Sequence, residues 1–292
     1  MNRPLYSYGL PFSEKLKESL DDQRDRIKHN KASLIIIDGA VGDGKTTLAV
    51  ELADYFNGAN GLPLIDLNEP KQYAFGGEDF MEKLRLCFEG KLPVLVYDEA
   101  GDFSSRGALT KFNKLMNRCF ETFRAFKIIV ILCLPSFNSL DKSLLDKGIS
   151  RLLIHCANRT TTGNFSVYGL YRMFYLREGM RKAICKPHAY KINRPNFYGH
   201  FLNLGPDRCK QLDILSTKNK MISLKEGEIA ASGLISTHDI QKKLQRGRTW
   251  VSTSINKLKL KPKKSIRRLK YYDESILEIL DDYKAKMQEK KN

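Results

Sequence analysis

What the sequence lacks narrows its class before any motif is read. Its longest apolar run, Ile128–Leu134, falls far short of the roughly 20 residues a membrane-spanning helix needs, so no membrane anchor is expected. The opening residues, MNRPLYSYGLPFSEKLKE, hold no apolar core of a secretion signal, and the expected location is the cytoplasm, or the host cytoplasm for a viral protein. The six cysteines form no C-x-x-C pair; Cys133 and Cys156 lie inside apolar runs and are expected as reduced core residues. With 10 Pro, 20 Gly, 42% hydrophobic and 28% charged residues, the composition excludes collagen, coiled-coil and disordered classes. Acid is scarce in one place above all. From Thr237 to Lys270 twelve Lys and Arg meet a single acid, Asp239, so this segment carries +11 of the net charge of +17, a field suited to phosphate polymers.

At 292 residues the chain has room for about two domains. Residues 1–30 are polar, end in DDQRDRIKHNK and read as an amphipathic lead-in helix. From Ser33 short apolar runs alternate with helical stretches, the pattern of βα units and a mainly parallel sheet. Strands are expected near 33–38, 63–67, 93–98, 127–134 and 151–156, and helices near 44–57, 78–89, 108–125 and 139–148. Residues 164–176 mix aromatic and β-branched side chains around Gly169 and read as a hairpin or edge strands. The stretch 177–220, rich in Pro, Gly and aromatics without helical period, reads as an irregular arm, and 221–292 as a small, mainly helical basic domain.

Residues 39–46 fit G-x-x-x-x-G-K-[ST], directly after the apolar run SLIIID and directly before TTLAVELADYF. A strand, a glycine-rich turn and a helix form the context in which backbone N–H groups cradle phosphates. The expected cradle is Gly39, Ala40, Val41, Gly42, Asp43, Gly44, Lys45, Thr46 and Thr47. Lys45 would reach the β- and γ-phosphates, and the Thr46 hydroxyl would join a Mg²⁺ shell. VLVYDEA, residues 94–100, is an apolar strand that delivers Asp98 at its C-terminal end as the carboxylate that would hold the Mg²⁺ from its outer shell. The adjacent Glu99 is placed to polarise a water for attack on the γ-phosphate, which is hydrolase rather than kinase logic. Guanine recognition would call for an N/T-K-x-D element, and none occurs; NRTT at 158–161 lacks both the Lys and the Asp. The cofactors expected are therefore ATP and Mg²⁺.

The order of phosphate loop, DE strand, a helix over 108–123, FRAFKIIVILCLPS and ISRLLIHC resembles the RecA-like P-loop ATPases of the FtsK/HerA group, including its Zot-like branch, over about 31–176. The resemblance implies an α/β fold with a central mainly parallel sheet, assembly into a homo-oligomer, and an arginine reaching a neighbouring subunit's nucleotide. Arg124 matches that arginine by position, with Arg106, Arg118 and Arg151 as competitors. The chain departs from the group where its sensor strand usually ends in Gln before Pro: here the residues are Cys133-Leu134-Pro135-Ser136, so that either Ser136 or Asn138 substitutes or the sensing is weakened. No Zot-like membrane anchor is read in these residues, so a membrane-tethered assembly role is not expected.

LISTHDIQKKLQRGRTWVSTSINKLKLKP, residues 234–262, reads as helix, tight turn at Arg246-Gly247-Arg248, helix, with Ser236 or Thr237 as N-cap. Val251, Ile255 and Leu258 make the apolar stripe of the second helix. Arg246, Arg248, Thr249, Ser252, Thr253, Asn256 and Lys257 are the candidate DNA contacts, suited to a major groove with cations on phosphates. The segment resembles a helix-turn-helix or winged-helix domain, with KKSIRRLKYY as a basic wing. The leading expectation is an ATP-hydrolysing DNA-handling motor or DNA-processing ATPase, with double-stranded DNA favoured. A packaging ATPase of a virus or mobile element is its close variant, and an ATP-switched DNA-binding regulator or partition-like protein is the alternative.

Overall fold

The computed structural model describes residues 11–31, 33–98, 125–140, 146, 148–157, 163–182, 186–231, 233–266 and 269–289. The chain divides into two compact units, up to Leu215 and from Ser216.

The first unit is α/β, built on a seven-stranded sheet of β1 (Ser33–Asp38), β2 (Tyr73–Ala74), β3 (Val94–Asp98), β4 (Ile129–Leu134), β5 (Ser150–Cys156), β6 (Gly163–Gly169) and β7 (Phe197–Phe201) in the order β2-β3-β4-β1-β5-β6-β7. The pairs from β2 to β5 are parallel, and β6 and β7 are antiparallel to their neighbours. Strands β1, β3 and β4 are buried along their whole length, as uninterrupted apolar runs covered on both faces must be. Alternate residues feed two cores. Ile35, Ile37, Val96, Ile131 and Ile154 pack with Leu16 and Leu20 of α1 (Glu14–Lys28) and with Leu48, Leu52 and Phe56 of α2 (Lys45–Gly58). Leu34, Ile36, Leu95, Val130 and Leu153 pack instead with Phe80 and Leu84 of α3 (Gly77–Glu89) and with Met173 and Leu176 of α4 (Leu170–Lys182). The result is a helix–sheet–helix sandwich, with α5 (Lys186–Ile192) on the second face.

Three expectations change. Residues 63–67 form no strand: Ile65 N–H donates to the Asp54 carboxylate and Ile65 O accepts from Arg208, so side chains occupy the backbone groups a sheet would use. The edge place falls to Tyr73–Ala74. Residues 164–176 are not a hairpin, because after β6 the spacing of Met173, Leu176 and Met180 buries one helical face. β6 pairs with β5 and with β7, the latter inside the stretch read as an arm; α4, α5, β7 and the start of α6 (Pro206–Ala231) make most of the described residues of 177–220 regular. The lead-in segment also belongs to this unit: Phe12 bridges Phe201, and α1 lies on the sheet with Gln23 accepting from the Ser33 hydroxyl. The expected helix over 108–125 lies almost wholly outside the described residues; of that over 139–148, Ser139 closes a single 3-10 turn, Phe137–Ser139, Asp146 is helical, and 141–145 and 147 lie outside the described residues.

The second unit holds α7 (Thr237–Lys243), α8 (Arg248–Lys257), α9 (Ile276–Glu289) and a small sheet of β8 (Ile235–Ser236), β9 (Lys264–Ile266) and β10 (Leu269–Tyr272) in the order β8-β10-β9. Ile240, Leu244, Val251, Ile255, Tyr272, Ile276 and Leu280 form its core. Ser236 and Asp239 make a reciprocal capping box at the start of α7, so that of the two N-cap candidates Ser236 is the cap and Thr237 the first helical residue. The turn between α7 and α8 uses Gln245, not Gly247, as its left-handed residue, with φ 51°. Gly247 is the α8 N-cap at φ −67°. Among the described residues no helix is long and apolar enough to cross a membrane.

Candidate nucleotide site and basic face

Parallel sheets bind ligands beyond the C-terminal ends of their strands, and the candidate residues gather there. β1 ends at Asp38 and the chain turns through Gly39–Gly44 into α2. Gly39, Gly42 and Gly44 have φ of 151°, 90° and 82°, a region other residues rarely adopt. Gly39 is required for a second reason: a Cβ would lie 2.5 Å from the Cys156 carbonyl oxygen. Asp43 closes the loop on itself by accepting from Ala40 N–H at 2.7 Å. Val41, at the tip, is 95% exposed.

α2 has no side-chain N-cap, and its first intrahelical bond runs from Leu48 N–H to Gly44 O. The N–H groups of Lys45, Thr46 and Thr47 therefore have no partner one turn back and stand at the positive end of the helix dipole, as phosphate binding requires. The Lys45 ammonium lies across the loop and donates to the carbonyls of Gly39 at 2.9 Å and Ala40 at 2.6 Å.

Thr46 donates its hydroxyl to Asp98 Oδ2 at 3.0 Å, and Tyr73 on β2 donates to the same oxygen at 2.6 Å. Thr46 and Asp98 thus meet although 52 residues apart, because β1 and β3 are separated in the sheet by β4 alone. Burial, together with the negative charge of Asp98, pushes the Tyr73 hydroxyl well above its ordinary range, so it remains a donor. A hydroxyl and a carboxylate brought together at a phosphate-type loop are an all-oxygen donor set that fits Mg²⁺. Tyr73 was not anticipated; nothing in the sequence around it marks a two-residue edge strand as part of the site.

Asp38 was also missed. Its carboxylate is 1% exposed and accepts from Phe137 N–H, just past β4, at 2.8 Å. On its other side His155 Nδ1 of β5 lies 2.9 Å from Oδ1, and the Tyr190 hydroxyl of α5 donates to Oδ2. The signal available in sequence was a charged residue ending an otherwise apolar strand. Leu134 is buried and pairs with Asp38 across the sheet, while Ser136 and Asn138 are half-buried in the turn that follows. Glu99, Arg106, Arg118 and Arg124 lie outside the described residues, and Arg151 is an exposed residue of β5.

In the second unit α8 turns Val251, Ser254 and Ile255 inward. Arg248, Thr249, Ser252, Thr253, Asn256 and Lys257 share its exposed side. Arg246 differs from these: its guanidinium lies 5.5 Å from the Trp250 ring centre, a cation–π contact that holds it on the domain. Lys263 and Lys243 are engaged by Asp273 and Glu274, whereas Lys264 and Lys270 are exposed on the β9–β10 hairpin.

No protein-family model matches the chain, and no curated protein matches it either.

Proposed function

We propose that this protein is a Mg²⁺-dependent ATPase of RecA-like type that works on DNA through its basic C-terminal unit. One observation carries the reading: a glycine loop between strand and helix whose Thr46 meets Asp98 from a strand one place removed in the sheet. The strand order, with β4 inserted between β1 and β3, supports a RecA-like core over other nucleotide folds. A bound nucleotide with Mg²⁺ would supply the phosphoanhydride to be broken and the ion that neutralises it. Thr46 and Asp98 would hold the metal, and the loop from Gly39 to Thr47 the phosphates. Lys45, whose ammonium now rests on two loop carbonyls, is the cation available to a phosphate oxygen. Tyr73 fixes the Asp98 carboxylate so that it need not reorganise, the condition under which electrostatic catalysis is most effective. Glu99 is assigned the general base from its place after Asp98, and Arg124 the finger for a neighbouring subunit.

The exposed polar side of α8 and the cationic β9–β10 hairpin support a winged-helix reading of the second unit, with double-stranded DNA as the partner. Arg246 contributes there by bracing Trp250 rather than by reading a base. The alternative, an ATP-switched DNA-binding protein without translocation, draws on Leu134: an apolar side chain ends β4 where the resemblance leads one to expect a γ-phosphate sensor.

Equilibrium binding of a fluorescent ATP analogue separates the assigned roles. Lys45→Ala is expected to lose binding, while Glu99→Gln keeps it and traps the bound state; equal loss of affinity in both would undo the assignments.

A further inference from the structure

A buried carboxylate with three donors beside the phosphate loop has no role in the chemistry described above. Asp38 is the residue before Gly39, and its carboxylate takes donors from three other elements: Phe137 N–H after β4, His155 Nδ1 on β5 and the Tyr190 hydroxyl on α5. With the carboxylate accepting, the proton of the His155 contact sits on Nδ1. Tyr190 also covers His155 face to face, ring centres 3.6 Å apart and planes within 10°. Burial raises the Tyr190 hydroxyl well above its ordinary range, which keeps it a donor. For filling space, an apolar side chain would serve as well and avoid the desolvation of a carboxylate. The placement is informative instead. The Gly39 carbonyl, one residue on, holds the Lys45 ammonium, and Phe137 lies between Ser136 and Asn138, the polar residues available where β4 ends in leucine.

We infer that Asp38 is a positioning residue that ties the phosphate loop to the Ser136–Asn138 turn and to the His155–Tyr190 stack, so that nucleotide at Lys45 is felt at both. The inference rests on the nucleotide-binding reading. It gives the β4 turn a defined distance from the loop through a backbone N–H, in place of a side-chain sensor on β4 itself.

The test is the ring ¹⁵N spectrum of histidine-labelled full-length protein. The chain has 5 histidines, and His155→Gln assigns the signal of interest. Adding the γ-thio analogue of ATP with Mg²⁺ is expected to move the His155 signal in the wild type and not in Lys45→Ala. In Asp38→Asn the displacement should fall by at least about half while analogue affinity stays within about threefold, with turnover roughly tenfold or more slower. Tyr190→Phe, which keeps the carboxylate and should fold, is expected to shift the His155 signal before any nucleotide is added and to shrink its response. A wild-type response retained in full by both variants would overturn the inference. So would a wild type that binds the analogue with His155 unmoved, which leaves the nucleotide reading standing. A wild type that binds no analogue overturns both.

Discussion

At the scale of single residues, the three loop glycines are not equivalent. Gly39→Ala sets a methyl 2.5 Å from the Cys156 carbonyl oxygen, a backbone atom that no rotamer change can move. It is expected to cost about 2 kcal/mol or more and to abolish nucleotide binding. Gly42→Ala meets nothing within 4 Å and is expected to bear only the cost of its φ of 90°, about 1 kcal/mol. Thermal unfolding of the two variants checks the order; equal costs would mean the Gly39–Cys156 approach is not a constraint. A pH effect belongs to this scale as well. The Asp239 carboxyl is held below its usual range, chiefly by the Ser236 hydroxyl. A lowered value in the folded state means the unfolded chain binds the proton more tightly. The stabilisation is therefore complete above the unfolded value, near 3.8, and lost as pH falls below it. The difference in unfolding temperature between wild type and Asp239→Asn should accordingly shrink from about pH 6 to about pH 3, and a constant difference would contradict the capping role.

At the scale of elements, α7 and α8 respond to capping. Ser236→Ala should cost about 1 kcal/mol. Gly247→Ser should be neutral or stabilise by a few tenths of a kcal/mol, because α8 lacks a side-chain cap and a Cβ at Gly247 meets nothing within 4 Å. Denaturant midpoints decide both; a destabilising Gly247→Ser would show that the turn needs glycine after all. The opposite holds at the β6–β7 seam, where a Cβ at Gly163 would lie 2.2 Å from the Phe201 ring. Gly163→Ala should cost about 1–3 kcal/mol through overpacking.

These elements also mark what could be read in the chain. β1, β3, β4 and β5 were legible because strands covered on both faces are apolar runs, and α2 because the glycine loop fixes where it begins. PLIDL at 63–67 misled for the reason that exposed its error: a short apolar run reads as a strand, but Asp54 and Arg208 had taken its backbone groups. α4 and β7 were hidden by aromatics and glycines, whose local propensities say little about a partner 30 residues away. In the site, Lys45, Thr46 and Asp98 followed from spacing. Tyr73 and Asp38 did not, since their roles arise from which strands the sheet sets side by side.

At the scale of the whole molecule, nucleotide chemistry and DNA contact are assigned to different units. A chain ended after Ala231, the last residue of α6, removes α7 to α9 and the hairpin without cutting the preceding helix. It should keep basal ATP hydrolysis and lose most DNA affinity. In the full chain, Arg248→Ala with Lys257→Ala should weaken binding to all sequences alike and lower the slope of log affinity against log salt by about 2. An unchanged slope would move the DNA surface elsewhere. The most direct measurement of the central claim is steady-state ATP hydrolysis by the full chain, with and without double-stranded DNA, beside Lys45→Ala. The account predicts turnover that DNA stimulates and Lys45→Ala abolishes. Turnover that survives Lys45→Ala, or none with or without DNA, would contradict it.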